Sequence, residues 1–452
     1  MRAGTFEGDF ASRPAAADRL ALLPGLIVVG AVCFNAGLAI VNGNVAGLTQ
    51  APVVVAEVMF MALAHTLALA NYRREMAPWY ALLGLFAAFA VMRSLSSQTI
   101  DVKYLRDVMI IPTFVVLGMT FDARRLGRVF VAAQIVMVVF LVLEAMNVDA
   151  YSNLFKIQDY YINTRGYTAE DFWNKDSNLY VSATRPDGSF LSIVDLHRLS
   201  SIFLEPVSLG NYCMVVLAFL CACWRELGRP TAWFLAITTA LAMVGCDGRL
   251  AMAAILPMVL CCTLAPRMPR FSALVYIPGI VALGFMLVSF GHYEPGGDDF
   301  PGRIAHTVFL LRNYGVSEYL GLSDEFMSKA VDSGIAYLIT TQSIFVAIAL
   351  WATIAMAGTE DRPDKTRIIH AVMIYMAFNM MVSFALLTIK TAALLWFCYG
   401  ALQGRRTAPL LRSQTRRSPG SSLDAGSVAG KPGPDPIRRS RRSLTACRPG
   451  RP

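Results

Sequence analysis

Apolar residues arrive in runs of about twenty, broken by short polar stretches, from Leu20 to about Leu402. At 1.5 Å of rise per residue, a helix of about 20 residues spans the ~30 Å hydrocarbon core of a bilayer. The pattern predicts twelve spans, over residues 20–41, 52–70, 77–95, 104–120, 128–147, 206–224, 230–246, 249–265, 271–290, 333–357, 368–386 and 388–403. Pro112, Pro257 and Pro278 fall inside runs, which membrane helices tolerate because neighbouring groups satisfy the freed backbone. The last two runs are the least clear, because the final one is short and Lys390 is the only charge between Arg367 and Arg405. The run from Leu20 reads as a retained first helix, since a signal peptide starts closer to the terminus and ends in a cleavage site. The fold class expected is therefore all-α and polytopic. A segment 1–19 leads into a membrane domain 20–403 with long connections at 148–205 and 291–332, and a polar tail covers 404–452.

Composition narrows the function classes. Of 452 residues, 56% are hydrophobic and 16% charged, against about a quarter charged in soluble domains. That deficit excludes a soluble enzyme, a disordered chain and a nucleic-acid binder. The net charge of +9 is misleading as a whole. Residues 404–452 hold twelve Arg or Lys against Asp424 and Asp435, a net of +10, so the other 403 residues sum to −1. The tail is rich in Ser, Gly, Pro and Arg and lacks the apolar residues for a core; it reads as a cytoplasmic extension that touches anionic lipid. The nine cysteines lie mostly in apolar runs, without metal-like spacing.

Basic residues alternate between junctions. Arg73 and Arg74, then Arg124, Arg125 and Arg128, Arg225 and Arg229, Arg267 and Arg270, and finally Arg362, Lys365 and Arg367 mark every second one. The positive-inside rule then puts both termini in the cytoplasm and the two long connections outside, which requires an even number of spans: twelve fits, and so does ten.

Some outer residues break that bias and are candidates for chemistry. The stretch His197-Arg198 through Glu205-Pro206 ends the first long connection. Arg198 and Glu205 are seven apart, two turns on one helical face, although Pro206 favours a helix that starts there. An arginine there could hold a pyrophosphate in a bidentate way, and a glutamate could take a proton from a sugar hydroxyl; an interfacial anchor with a helix cap is the competing reading. In Cys246-Asp247-Gly248-Arg249 a tight turn explains Asp and Gly, and Arg249 adds either a phosphate contact or nothing more. The second long connection offers Arg303, His306 and Arg312, with His306 a general acid or base by its ordinary pKa near 6.5. Lys103, Arg106 and Asp107 open the fourth run. Glu57, His65 and Glu144 lie within runs and are expected to face the bundle. No GxxxxGK[ST] or dinucleotide glycine fingerprint is present, so the energy for any reaction comes from an activated substrate or an ion gradient.

The many spans, a large outer loop ending in Arg198…Phe203-Leu204-Glu205-Pro206…Gly210, a short outer turn with Arg249 and a second outer loop with Arg303 resemble the Wzy-type polysaccharide polymerases, which belong with the O-antigen ligase-like membrane proteins. The likeness covers residues 20–403 in topology. It implies a GT-C-like glycosyltransferase of the bacterial inner membrane, working without metal or other cofactor on the periplasmic face. The implied partners are undecaprenyl-pyrophosphate-linked oligosaccharide donor and acceptor, membrane lipids, and a chain-length regulator or export proteins, with no nucleic acid. By position the resemblance carries over to Arg198, Arg249 and Arg303, with Glu205 beside the first. The full candidate set is Glu205, Arg198, Arg303 and His306 for catalysis, with Arg249, Arg312, Arg106 and His197 for substrate binding. Arg249 departs from the more Ser/Thr-rich turn of that family. A glycan ligase shares the layout. A flippase or transporter favours short loops and internal symmetry, which the long outer connection opposes. A scaffold subunit does not need arginines gathered at outer helix ends.

Overall fold

Each of the twelve apolar ranges contains a helix in the computed structural model, which describes residues 21–98, 102–184, 197–291, 293–296, 300–356 and 362–404. The leading segment 1–19 and the basic tail beyond Gly404 lie outside the described residues. All regular structure among the described residues is helical. In order come α1 (Leu23–Asn44), α2 (Gln50–Ala70), α3 (Ala77–Ser97), α4 (Val102–Met119), α5 (Leu126–Met146), α6 (Val148–Phe155), α7 (Ile157–Arg165), α8 (Pro206–Cys223), α9 (Arg229–Gly245) and α10 (Arg249–Leu264). Then follow α11 (Tyr276–Gly291), α12 (Phe300–Asn313), α13 (Val316–Tyr319), α14 (Gly334–Thr341), α15 (Ile344–Met356), α16 (Pro363–Met380) and α17 (Ile389–Gly404). Proline sits in the first turn of α1, α3, α8, α9 and α16, where its missing N–H has no intrahelical partner to lose. The two long connections are themselves partly helical, through α6 and α7 in one and α12 in the other.

The protein is multi-pass, and fewer than twelve of its helices meet the length and apolarity of a span by themselves. Among the described residues, seven helices are long and apolar enough to cross a membrane, or eight if the bent pair α14–α15 is one span. Residues 333–357 do not form one straight helix; α14 and α15 meet at 119°. The break has a physical cause. Arg93 of α3 donates to the carbonyls of Thr340 (2.5 Å) and Gly321 (3.2 Å) and pairs with Asp324, so a side chain satisfies the last turn of α14 in place of a continuing helix. Gly321, at φ +73°, lets its backbone lie against Gln342; a Cβ there would stand 2.7 Å from the Gln342 carbonyl oxygen.

The remaining ranges fall short for two reasons. Helices α4 and α16 carry three charges each near one end, and α9 and α17 have 17 and 16 residues. Such helices can lie inside a bundle without matching the bilayer themselves. In α17, fifteen of sixteen residues are buried. It packs against α4 through Gly118, Gly400 and Gly404, where any Cβ would run into the opposing backbone; small residues at membrane helix contacts allow this approach. Around this centre, α2, α3, α10 and α11 expose large apolar side chains such as Leu63, Val91, Leu256 and Phe290, as lipid-facing helices must.

The helix ends separate into two sets. At one end Leu227 lies over Gly127 and the Cys262 thiol donates to the Arg367 carbonyl; the arginine-rich junctions cluster here. At the other, Asn44 bonds Leu154 and Lys156 bonds Gly43, and residues of both long connections, such as Tyr161 and Asp332, line one cavity.

Candidate functional site

At that second end a cavity of about 550 Å³ opens among α1, α2, α4, α8, α17 and the first long connection. Its ionisable lining is mixed: Lys103, Arg106, Arg165, Arg303 and Lys390 against Glu57, Asp107, Glu205 and Asp332. Tyr161, Tyr167, Tyr180 and Trp173 form an aromatic wall. A smaller chamber of about 70 Å³ adjoins it, sharing Val207, Asn211, Arg303 and Ser383. Arg198, Arg249 and Arg303 line this chamber, and among the described residues no acidic side chain does.

Glu205 is set by the chain reversal before α8. Leu204 takes φ +64° and Pro206 starts the helix, so Glu205 is the residue before the first turn. Its side chain does not cap that helix. It turns to the cavity, where it accepts from the Tyr161 hydroxyl and from Ser208 Oγ (2.6 Å) and pairs with Lys390 Nζ at 3.0 Å. Burial works to raise the carboxyl pKa, but the Lys390 ammonium and the two hydroxyls outweigh it and hold Glu205 below the ordinary range. Lys390 also donates to the Phe203 carbonyl (3.3 Å). Burial and the Glu205 charge push the Tyr161 and Tyr180 phenols up, so both stay neutral donors.

A second charged cluster spans α2 and α4. Arg106 pairs with Glu57 (2.6 Å) and Asp107 (2.7 Å), and Asp107 accepts from the Tyr337 hydroxyl (2.6 Å). The two intramembrane carboxylates therefore share one guanidinium, which is how a buried charge becomes tolerable. Arg165 is different. It ends α7 where Gly166 takes φ +76°, and its long side chain reaches back to Asn35 Oδ1 at 3.5 Å, beside the Tyr160 hydroxyl that donates to the same atom (2.9 Å).

The arginine chamber is built on a turn. Arg198 donates to the carbonyls of Cys246 (3.0 Å), Ser182 (3.0 Å) and Asp247 (3.4 Å), and the Leu199 N–H donates to Gly245 (2.9 Å). Asp247 takes φ +47°. Arg198 thus clamps the 246–248 turn, and that turn delivers Arg249 to the first position of α10. Gly210 and Gly248 approach closely enough for α8 to carry this turn. The neighbouring segment is pinned by Glu144, fully buried, which accepts from the Ser200 (2.9 Å) and Ser201 (2.7 Å) N–H groups and bonds His197 (3.2 Å).

The sequence candidates therefore divide. Glu205, Arg106 and Arg303 line the larger cavity, and Arg198, Arg249 and Arg303 the smaller. Arg198 and Glu205 do not share a helical face: residues 197–200 are irregular, 201–203 form a single tight turn, and the helix begins only at Pro206. His197 lines neither cavity and bonds Glu144. His306 is bonded to the Lys329 carbonyl (2.8 Å) and lines neither cavity. Arg312 stands over the Phe285 ring and donates to Ser289, also away from both. The structure adds Lys390, Arg165 and the aromatic wall to the site. Lys390 carries a usable sequence signal, as a lone charge inside an apolar run; the loop tyrosines form a visible cluster with no place assigned by the pattern.

The chain matches no family model, no curated protein and no solved structure. Its own geometry must therefore carry the interpretation. A cluster of guanidinium groups suits a phosphate-bearing group, and a tyrosine-walled space with paired charges suits a polar ring compound.

Proposed function

We propose that the protein polymerises oligosaccharide units carried on a lipid pyrophosphate, at the periplasmic face of a bacterial inner membrane. One observation carries the reading: a chamber lined by three arginines opens, at Arg303, into a larger tyrosine-walled cavity at the end of the bundle opposite the arginine-rich junctions. By the positive-inside rule that end faces outward. Arg249 and Arg303 hold the donor pyrophosphate, with Arg198 keeping the turn in place. The acceptor sugar lies in the larger cavity with a hydroxyl against Glu205. The hydroxyl oxygen attacks the donor anomeric carbon, its proton passes to Glu205, and the bond to pyrophosphate breaks with the electron pair leaving on the phosphate. Preorganised guanidinium groups around the developing charge are the main source of rate in such a step. The donor bond itself supplies the energy.

The test is the lipid-linked product in a strain lacking the protein. Single repeat units accumulating on the outer leaflet, with long chains restored by the wild-type gene, are expected. Long chains stranded on the carrier would instead mark a ligase, and units retained inside a flippase.

A further inference from the structure

Among the described residues, Arg165 stands out in the larger cavity as a cation with no carboxylate against it. Lys390 is paired with Glu205, and Arg106 with Glu57 and Asp107. The Arg165 guanidinium makes only a long 3.5 Å contact to Asn35 and a contact with the neighbouring Tyr160 hydroxyl. It is exposed and lines the cavity, and it extends from the helix that carries Tyr161. Tyr161 packs edge-on to Tyr167 (5.8 Å between ring centres) and lies 4.8 Å from Tyr180. A guanidinium left with most of its donors unused, beside a bank of aromatic faces, is a site for a ring compound that carries an anionic group.

Charge balance decides which anion. Arg303 borders both spaces; assigned to the small chamber, which among the described residues then has three arginines and no acid, it leaves the larger lining with four basic and four acidic side chains. A pyrophosphate brings more than one negative charge and belongs with the three. A single carboxylate matches the single charge of the Arg165 guanidinium, which no ion pair occupies among the described residues, and its two oxygens fit a guanidinium fork. We infer that Arg165 binds the carboxylate of an acidic sugar, so that the saccharide unit taken into this cavity contains a uronic acid or an equivalent carboxylated residue. This rests on the glycan-processing reading above.

The test uses the full chain in lipid nanodiscs with three probes: a glucuronic-acid-containing disaccharide, the neutral disaccharide of the same linkage, and inorganic pyrophosphate. The acidic disaccharide is expected to bind roughly 10- to 100-fold tighter than the neutral one, the range for a charge-assisted pair. Arg165→Gln should bring that ratio to about one while leaving the neutral affinity and the melting temperature in place, and Arg165→Lys should restore part of it. Asn35→Asp puts a carboxylate against the guanidinium without removing it and should abolish the ratio too, which covers the case in which Arg165→Gln does not fold. A wild-type ratio near one, or a ratio unchanged in these variants, overturns the inference and leaves the glycan reading intact. So does pyrophosphate losing affinity in Arg165→Gln while the sugar ratio holds, because the guanidinium then serves the lipid carrier. If neither disaccharide binds the wild type at millimolar concentration, the glycan reading falls and this inference with it.

Discussion

Lys390 Nζ stands 3.0 Å from Glu205 Oε2, tying the first turn of the enclosed helix α17 to the residue that opens α8. The pair makes the charge of the proposed proton acceptor depend on a lysine in an otherwise apolar stretch.

That dependence fixes a pH limb. The folded-state pKa of Glu205 lies below its unfolded value, near 4.3 for an ordinary glutamate. The stabilisation from its ionised form is complete above that ordinary value and is lost as pH falls through the lower, folded value. The acid limb of polymer formation should therefore lie below the usual carboxylate range. Lys390→Met leaves burial unopposed by the ammonium and should move the limb upward; a pH–rate profile in reconstituted vesicles that stays in place would dissociate Lys390 from Glu205.

Arg303 borders both cavities. Arg303→Ala should reduce long-chain polymer by about 10²–10³-fold, the usual loss on removing a donor at a developing charge, with single lipid-linked units still formed. Arg312→Ala, whose side chain packs on Phe285 outside both cavities, should retain polymer length. Gel analysis of the product at matched protein levels distinguishes the two.

Glu144 holds the segment leading to Glu205. Glu144→Ala leaves two buried N–H groups, those of Ser200 and Ser201, without their acceptor. Each lost hydrogen bond to a charged group costs about 1.5–3 kcal/mol, so the melting temperature and the yield in detergent should fall together. A variant that melts as the wild type does would show that this segment is held by other contacts.

Gly400 should be intolerant of even one methyl group. Its Cβ would meet the Val115 carbonyl oxygen, an atom of the opposing helix backbone. Gly400→Ala should cost about 1–3 kcal/mol, the usual penalty for overpacking. Gly84→Ala, with nothing within 4 Å of the added carbon, should not destabilise; thermal unfolding of both variants is the measurement.

How much of the fold and the site is legible in the sequence depends on the kind of signal. Apolar runs locate the long helices of the bundle, because burial in lipid or in the bundle demands the same residues over the same length. For that reason they do not separate lipid-crossing helices from the enclosed α17, or show that Arg93 breaks the run at 333–357. Arginines at junctions expected to lie outside point to Arg249 and Arg303, since a charge placed against the inside bias needs a reason. Their proximity to Glu205 and Arg106 depends on which helices neighbour one another, and periodicity does not encode that. Arg165 escapes a sequence reading because a basic residue in a polar loop has no distinguishing mark; only the reach of its side chain to Asn35 sets it apart. His306 and Arg312 look equally plausible in sequence and are separated from the cavities by the packing of α12.

The helix enclosed on nearly all sides is also the last of the described helices to leave the ribosome. Synthesis runs from the N-terminus, so α1, α4 and α8 enter the bilayer around a slot whose occupant does not yet exist. Until α17 arrives, Glu205 has no ammonium beside it and the face of α4 that carries Gly118 is uncovered. The arrival of α17 is thus the event that assembles the charged pair and closes the bundle, and a chain halted before Ile389 would present an open cleft to the membrane's quality control.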